Sequence, residues 1–156
     1  GVGHMLPAPA IVSDVDLGRR LRNEPSVART LAVAPRSDIL VFSPGVLEEE
    51  SVLVRSGFLT ERGMERLRAM GAVTDIFSRF LDMSGEPVSQ ELEERTIAIP
   101  LDAVRQAKRS VAVASSPIKA VPMLVALRSR LATAAVVDEE LAKEILLLGR
   151  LGAEGH

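Results

Sequence analysis

Residues 109–130, RSVAVASSPIKAVPMLVALRSR, decide how the rest of the chain is read. Val111, Ala112, Val113 and Ala114 form a continuous apolar run, the pattern of a strand covered on both faces, which predicts a buried strand over 110–114. Ser115, Ser116 and Pro117 make a short loop, with Ser116 and Pro117 suited to the N-cap and first position of a helix. Ala120, Met123, Leu124, Leu127 and Leu131 then recur at helical spacing, one stripe for packing on a sheet. A helix that begins where a parallel strand ends aims unpaired N–H groups and the positive end of its dipole at the mouth of the sheet. That is a ready place for an anion such as a phosphate. Lys119 stands in this first turn, where the dipole disfavours a cation. A solvated lysine is the plain reading; the awkward position weighs towards an anionic partner.

The chain has 156 residues, enough for one domain with a real core, and 47% apolar with 26% charged residues marks a globular composition. The net charge of -2 leaves no basic excess for holding nucleic acid by counterion release, so DNA contact is not expected from these residues. Cysteine is absent, which excludes disulfides, thiolate catalysis and Cys-ligated metals. The histidines, His4 and His156, both stand near chain ends, so a Ser-His-Asp triad or His-rich metal site would have to use a terminus. Aromatic residues make up only 3%, too few for stacking platforms. No apolar run is as long as a membrane span and no signal peptide opens the chain, so a cytoplasmic protein is the expectation.

The flanking segments extend the same alternation. LPAPAIV (6–12) is extended, because Pro7 and Pro9 exclude helix. Helices are predicted over 14–23, capped by Ser13 or Asp14, and over 24–34. A short buried strand follows at 37–42, and Ser43-Pro44-Gly45 breaks the chain at its carboxyl end, where open α/β sheets place ligands. Glu48, Glu49 and Glu50 read as a solvated acidic turn, and 51–58 as an irregular or short extended piece carrying Arg55. An amphipathic helix is predicted over 60–70, with Met64, Leu67 and Met70 on one side and Gly71 as its stop. Residues 72–83 are β-rich, 84–87 turn the chain back towards Val88, and TIAIP (96–100) reads as a strand before a helix over 101–108. A buried strand at 133–137 precedes a last helix, capped by Asp138, with Glu139 and Glu140 in its first turn and Leu141, Ile145 and Leu148 as inner stripe. Residues 149–156 read as a frayed tail. Strands alternating with helices in this way predict an α/β fold with a mainly parallel sheet.

Taken together, LPAPAIV, EPSVARTL, SDILVFSPG, LVRSGFL, GAVTDIFSRFLDMSGEPV, RTIAIPLD, SVAVASSPIKA and ALRSRLATAAVVDEELAKEIL resemble, in order and spacing, the effector-binding domain of the SorC/DeoR-type sugar-responsive bacterial transcription regulators. The resemblance runs from about Leu6 to Leu148. It implies a Rossmann-like, mainly parallel sheet with helices on both faces, akin to the phosphosugar isomerase and CoA-transferase group. Residues 1–156 would then be a single, partial effector domain, either a fragment or a chain that has lost its front part. Neither the family's helix-turn-helix nor the first part of the effector domain, with its Gly/Thr-rich phosphate loop, has a counterpart here. The resemblance implies a phosphorylated sugar as effector. Lys119 matches a lysine implied to contact its phosphate or hydroxyls, Asp75 an acidic position implied to bind hydroxyls, and Arg55 sits near an arginine implied to bind phosphate. Ser115 and Ser116 stand where the family usually has two glycines, which narrows backbone access to a ligand. Pro122 falls in the first turns of the helix, where it removes a donor.

The residues themselves leave alternatives beside each role. Asp75 shares a predicted strand face with Val73, Phe77 and Leu81, so its carboxylate needs a partner such as Arg79, a strand-end exposure, or a ligand. Arg55 could equally be a surface or subunit-contact residue. The function that follows is a non-enzymatic sensor without cofactor or metal, assembled as a homo-oligomer (dimer or tetramer), and touching DNA only through a separate domain. A sugar-phosphate isomerase or lactonase on the same fold is the enzymatic alternative, with Asp75 as base and no interior histidine, cysteine or tyrosine to assist it. A purely structural oligomerisation module is the third.

Overall fold

A computed structural model describes residues 2–48 and 52–151. Its centre is a parallel sheet of β1 (Leu40–Phe42), β2 (Ser110–Ala114) and β3 (Ala134–Val137), with β2 in the middle. Register pairs Leu40 with Ser110, Phe42 with Ala112, and Val113 with Val136. Between β2 and β3 the chain passes through a 3-10 turn (Pro117–Lys119) and helix α1 (Ala120–Arg128). Ala120, Met123 and Ala126 of this helix are buried in one core with Phe42 and Ala112. The small side chains of Ala112, Ala120 and Ala126 let the helix backbone approach the sheet closely, and Met123 fills the space left in the same core. Pro122 is the third residue of α1, where an N–H has no intrahelical partner, so the helix loses no hydrogen bond there.

The apolar run over 110–114 predicts cover on both faces; among the described residues only one is covered. Val41, Val113 and Val136 are 64%, 39% and 59% exposed, and β3, predicted as buried, is an exposed edge strand along Ala134, Ala135 and Val136. Short apolar runs carry no alternation from which one-sided burial could be read.

The remaining elements pack around this unit. Helices α2 (Val15–Asn23) and α3 (Pro25–Leu31) join the extended amino segment, and Asp14 caps α2 by accepting the Leu17 N–H at 2.8 Å. Residues 52–55, expected to be irregular or extended, form a short helix, α4 (Val52–Arg55), whereas Glu49 and Glu50 of the acidic turn lie outside the described residues. Thr60 caps α5 (Glu61–Ala69), whose Met64 and Leu67 are buried; Met70 follows the helix and is 45% exposed, off the predicted stripe. Helices α6 (Gln90–Arg95) and α7 (Leu101–Arg105) complete the middle region. The last helix, α8 (Glu139–Leu151), carries Leu141, Ile145 and Leu148 into the main core. It stays helical through 149–151, the first part of the expected frayed tail.

Two β-rich stretches fold otherwise than their patterns predict. Residues 72–83 make a hairpin of β4 (Thr74–Ile76) and β5 (Arg79–Leu81), whose turn residues Phe77 and Ser78 have φ of 52° and 61°. This is the left-handed backbone of a two-residue turn that Asn-Gly usually signals, so Phe-Ser gave no warning of it. Asp75 therefore stands opposite Phe80 rather than beside Leu81, and Arg79 pairs with Glu93 at 2.6 Å, not with Asp75. TIAIP forms no ladder: Thr96 makes a single bridge to Ile11, while Ile97 and Ile99 enter two different cores. Its alternation serves to fill two cores, not to cover one sheet. Met123 is fully buried under the sheet. Met123→Ala is expected to lower unfolding stability by about 2–5 kcal/mol in denaturant titration, the range for emptying a packed core site.

Candidate functional site

The three parallel strands end on one side, and each feeds a loop into the same open hollow of about 700 Å³. β1 delivers Ser43, β2 delivers Ser115 and, one turn later, Lys119, and β3 delivers Asp138; Val113 and Val136 supply apolar wall. Lys119 is half-buried, and its Nζ donates to the Pro44 carbonyl at 2.5 Å, strapping the α1 crossover to the loop after β1. That loop is fixed from a second side by the hairpin. Gly45 N–H donates to the Asp75 carbonyl at 2.7 Å, and the Thr74 hydroxyl donates to the Gly45 carbonyl at 2.8 Å. A side chain on Gly45 is impossible without movement, since its Cβ would lie 1.6 Å from Asp75 Oδ1.

Asp75 is half-buried behind this loop, close enough to Lys119 to feel its charge, and does not itself line the hollow. Burial pushes its carboxyl up to about 6, against the opposing pull of the Lys119 ammonium and a hydrogen bond from the Ser78 N–H. A carboxyl disfavoured by burial beside a cation is a candidate functional position.

Ser116 is the N-cap residue of the 3-10 turn, as its Ser-Pro sequence predicts, but its side chain makes no capping hydrogen bond. Its backbone has φ 80° and ψ 133°, a conformation that suits glycine. Its N–H donates to Asp138 Oδ2 at 2.8 Å, while Asp138 Oδ1 accepts the Leu141 N–H at 2.8 Å and caps α8. These two backbone donors hold the Asp138 carboxyl below its usual value, the Leu141 bond first.

The structure thus brings Lys119, Ser115 and Ser116 to one loop and sets Asp75 behind them. Arg55 ends α4 on an exposed surface and is not among the residues lining this hollow. Sequence reasoning left out Asp138 and Ser43 as site residues. Asp138 was legible as a helix cap, and nothing in its spacing shows that its second oxygen turns to the loop after β2. Ser43-Pro44-Gly45, a chain break at a strand's carboxyl end, was the available signal for the other.

A parallel sheet that collects polar side chains from successive loops at its carboxyl edge has the layout of a Rossmann-like ligand-binding domain. Comparison with known proteins makes this specific. Residues 1–147 match the Sugar-bind family model, described as "Putative sugar-binding domain". The deoxyribonucleoside regulator of Bacillus subtilis is 28% identical over 141 residues, 90% of this chain and 45% of that protein. The transcriptional regulator LsrR of an Enterobacter species is 31% identical over 147 residues, 92% of this chain and 46% of that protein. A solved transcriptional regulator from Streptococcus pneumoniae superposes with a TM-score of 0.85 at 25% identity, over 94% of this chain and 56% of the other. The chain belongs to the Sugar-bind family, and it spans about half the length of the relatives it matches.

The raised value at Asp75 fixes the sign of a pH effect. The folded state binds the proton more tightly than the unfolded chain, so wild-type stability falls as pH rises from about 4 to 6 and stays reduced above that. Asp75→Asn is expected to be more stable than wild type by about 2–3 kcal/mol at pH 7.5, the advantage vanishing below pH 4, in paired denaturant titrations. Ser116→Gly, by relieving the strained backbone at a cost in unfolded-state entropy, is expected to add about 1 kcal/mol, read as a higher melting temperature.

Proposed function

We propose that the chain is the effector-binding domain of a bacterial transcription regulator, and that its effector is a small phosphorylated sugar. The anionic group would lie at the hollow beside Lys119 and the Ser115–Ser116 loop, with sugar hydroxyls towards Asp75. The observation that carries this reading is the Lys119 ammonium, half-buried at the carboxyl edge of the sheet and flanked by a carboxylate that burial disfavours. Arg55 is retained as a secondary phosphate contact, reached only by a ligand that extends beyond the hollow. Membership of a sugar-binding family and likeness to transcriptional regulators support the same class.

In this reading the domain is a sensor, not an enzyme, and needs no cofactor. Catalysis on a sugar phosphate asks for an acid and a base placed about the reacting carbons. Asp75 supplies one such group, and the Lys119 ammonium whose charge it feels is committed to the Pro44 carbonyl. Residues 1–156 would act as a single, partial effector domain of a homo-oligomer, dimer or tetramer, and reach DNA through a separate helix-turn-helix domain. Effector binding would favour one packing of subunits over another, by its differential affinity for the two.

Differential scanning fluorimetry against a panel of pentose and hexose phosphates tests the reading. A true effector at a hundred times its Kd raises stability by about 2.7 kcal/mol. Wild type is expected to be stabilised by at least one panel member, and Lys119→Ala to lose that response. Equal stabilisation of the two proteins would remove Lys119 from the site.

A further inference from the structure

The hollow holds a second charged group whose part in ligand binding is separate from that of Lys119. Asp138 lines the same space at the end of β3, and its two carboxylate oxygens accept two backbone N–H groups, from Ser116 and Leu141. The Leu141 bond is an ordinary helix cap. The Ser116 bond is a different matter, because Ser116 N–H belongs to the loop that carries Lys119. A backbone N–H on that loop is a donor for a phosphate oxygen, and here it is occupied by an anion of the protein's own.

We propose that Asp138 competes with the effector's anionic group for the Ser116 N–H and thereby sets how strongly this hollow discriminates a phosphorylated ligand from its neutral parent. The inference rests on the sugar-phosphate reading and adds to it a specificity-determining residue. A phosphate placed beside Lys119 meets the negative charge of Asp138 across the same open space; Asp138 is partly exposed, so solvent screens the repulsion to roughly threefold in affinity. It also finds its N–H donor already taken, so it must displace the carboxylate or bind without that hydrogen bond. A neutral sugar pays neither cost. Asp138 therefore lowers affinity for the anion and leaves affinity for uncharged hydroxyls alone. Because the same carboxylate caps α8, displacement by an anion also reaches the first turn of that helix, whose opposite face exposes Leu146 and Leu147.

Asp138→Asn tests this cleanly. Asparagine caps helices as well as aspartate does, so α8 keeps its start while the charge is removed. Asp138→Ser, another capping residue, provides the second neutral variant. Isothermal titration of the whole chain with inorganic phosphate, ribose 5-phosphate and ribose is expected to show roughly threefold tighter binding of both phosphates to each variant, with ribose unchanged. Equal phosphate affinity in wild type and both variants, or weaker binding in the variants, overturns the proposal while leaving the sugar-phosphate reading in place. If neither phosphate binds wild type or any variant, the sugar-phosphate reading fails and this inference falls with it.

Discussion

Close packing of α1 on the sheet is the constraint from which the site follows. Ala120, Met123 and Ala126 lie against Ala112 and Phe42 with almost no exposed surface, so the helix has little freedom to slide or tilt. Lys119 immediately precedes this helix, and its Cα position is therefore set by core packing rather than by the loop. The lysine can then reach Pro44, 75 residues away in sequence, and hold the loop after β1 against the end of β2. A site built on packed elements keeps its geometry better than one built on loops alone. Here the Ser115–Ser116 segment is held from the other side by Asp138.

The hairpin adds the second fixed wall. Ile76 and Leu81 enter the main core while Phe80 enters the neighbouring one, so β4 and β5 are wedged between two apolar clusters. Asp75 and Thr74 on this wedge grip Gly45 through the backbone. Gly45 is required by this approach: any side chain would strike the Asp75 carboxylate. The arrangement explains why a carboxyl that burial disfavours stays where it is. Its strand is anchored by hydrophobic contacts far larger than the electrostatic cost at one position.

Much of this was legible in the chain itself, and the rest was hidden for definite reasons. The strand-loop-helix at 109–130 and the capped last helix carried strong local signals, an apolar run, a helical stripe and an Asp-Glu-Glu start. These elements were found where the pattern put them. The Phe77–Ser78 turn was missed because its residues lack the glycine or asparagine that such backbone angles favour, so tertiary packing of Phe77 on Phe42 overrides the local preference. Because the pattern hides this turn, it sets Asp75 on a face with Leu81, whereas the hairpin sets Phe80 opposite it. The one-sided burial of the sheet was invisible because valine and alanine runs look alike whether one face or two are covered. Site residues from a single loop could be named together. The Asp138–Ser116 and Lys119–Pro44 contacts span 22 and 75 residues, and no spacing rule reaches that far.

The two aspartates around Lys119 are displaced in opposite directions, and this sets the electrostatics of the hollow. Asp138 accepts two backbone N–H groups, which favour its ionised form; Asp75, short of solvent, has its carboxyl pushed up to about 6. Above that value Asp138 lines the hollow with Lys119 while Asp75 is charged behind the loop, so no excess positive charge is left to draw in an anion. Below it the balance approaches neutrality and Lys119 is freer to act on a ligand. An anion that binds here must therefore do so by geometry, through the ammonium and backbone donors at close range, against a background field that is unfavourable. Such a site discriminates sharply between ligands that match the donors and ligands that merely carry charge. On the proposed reading, binding of a phosphate would also depend on the protonation of Asp75, through the charge it places near Lys119.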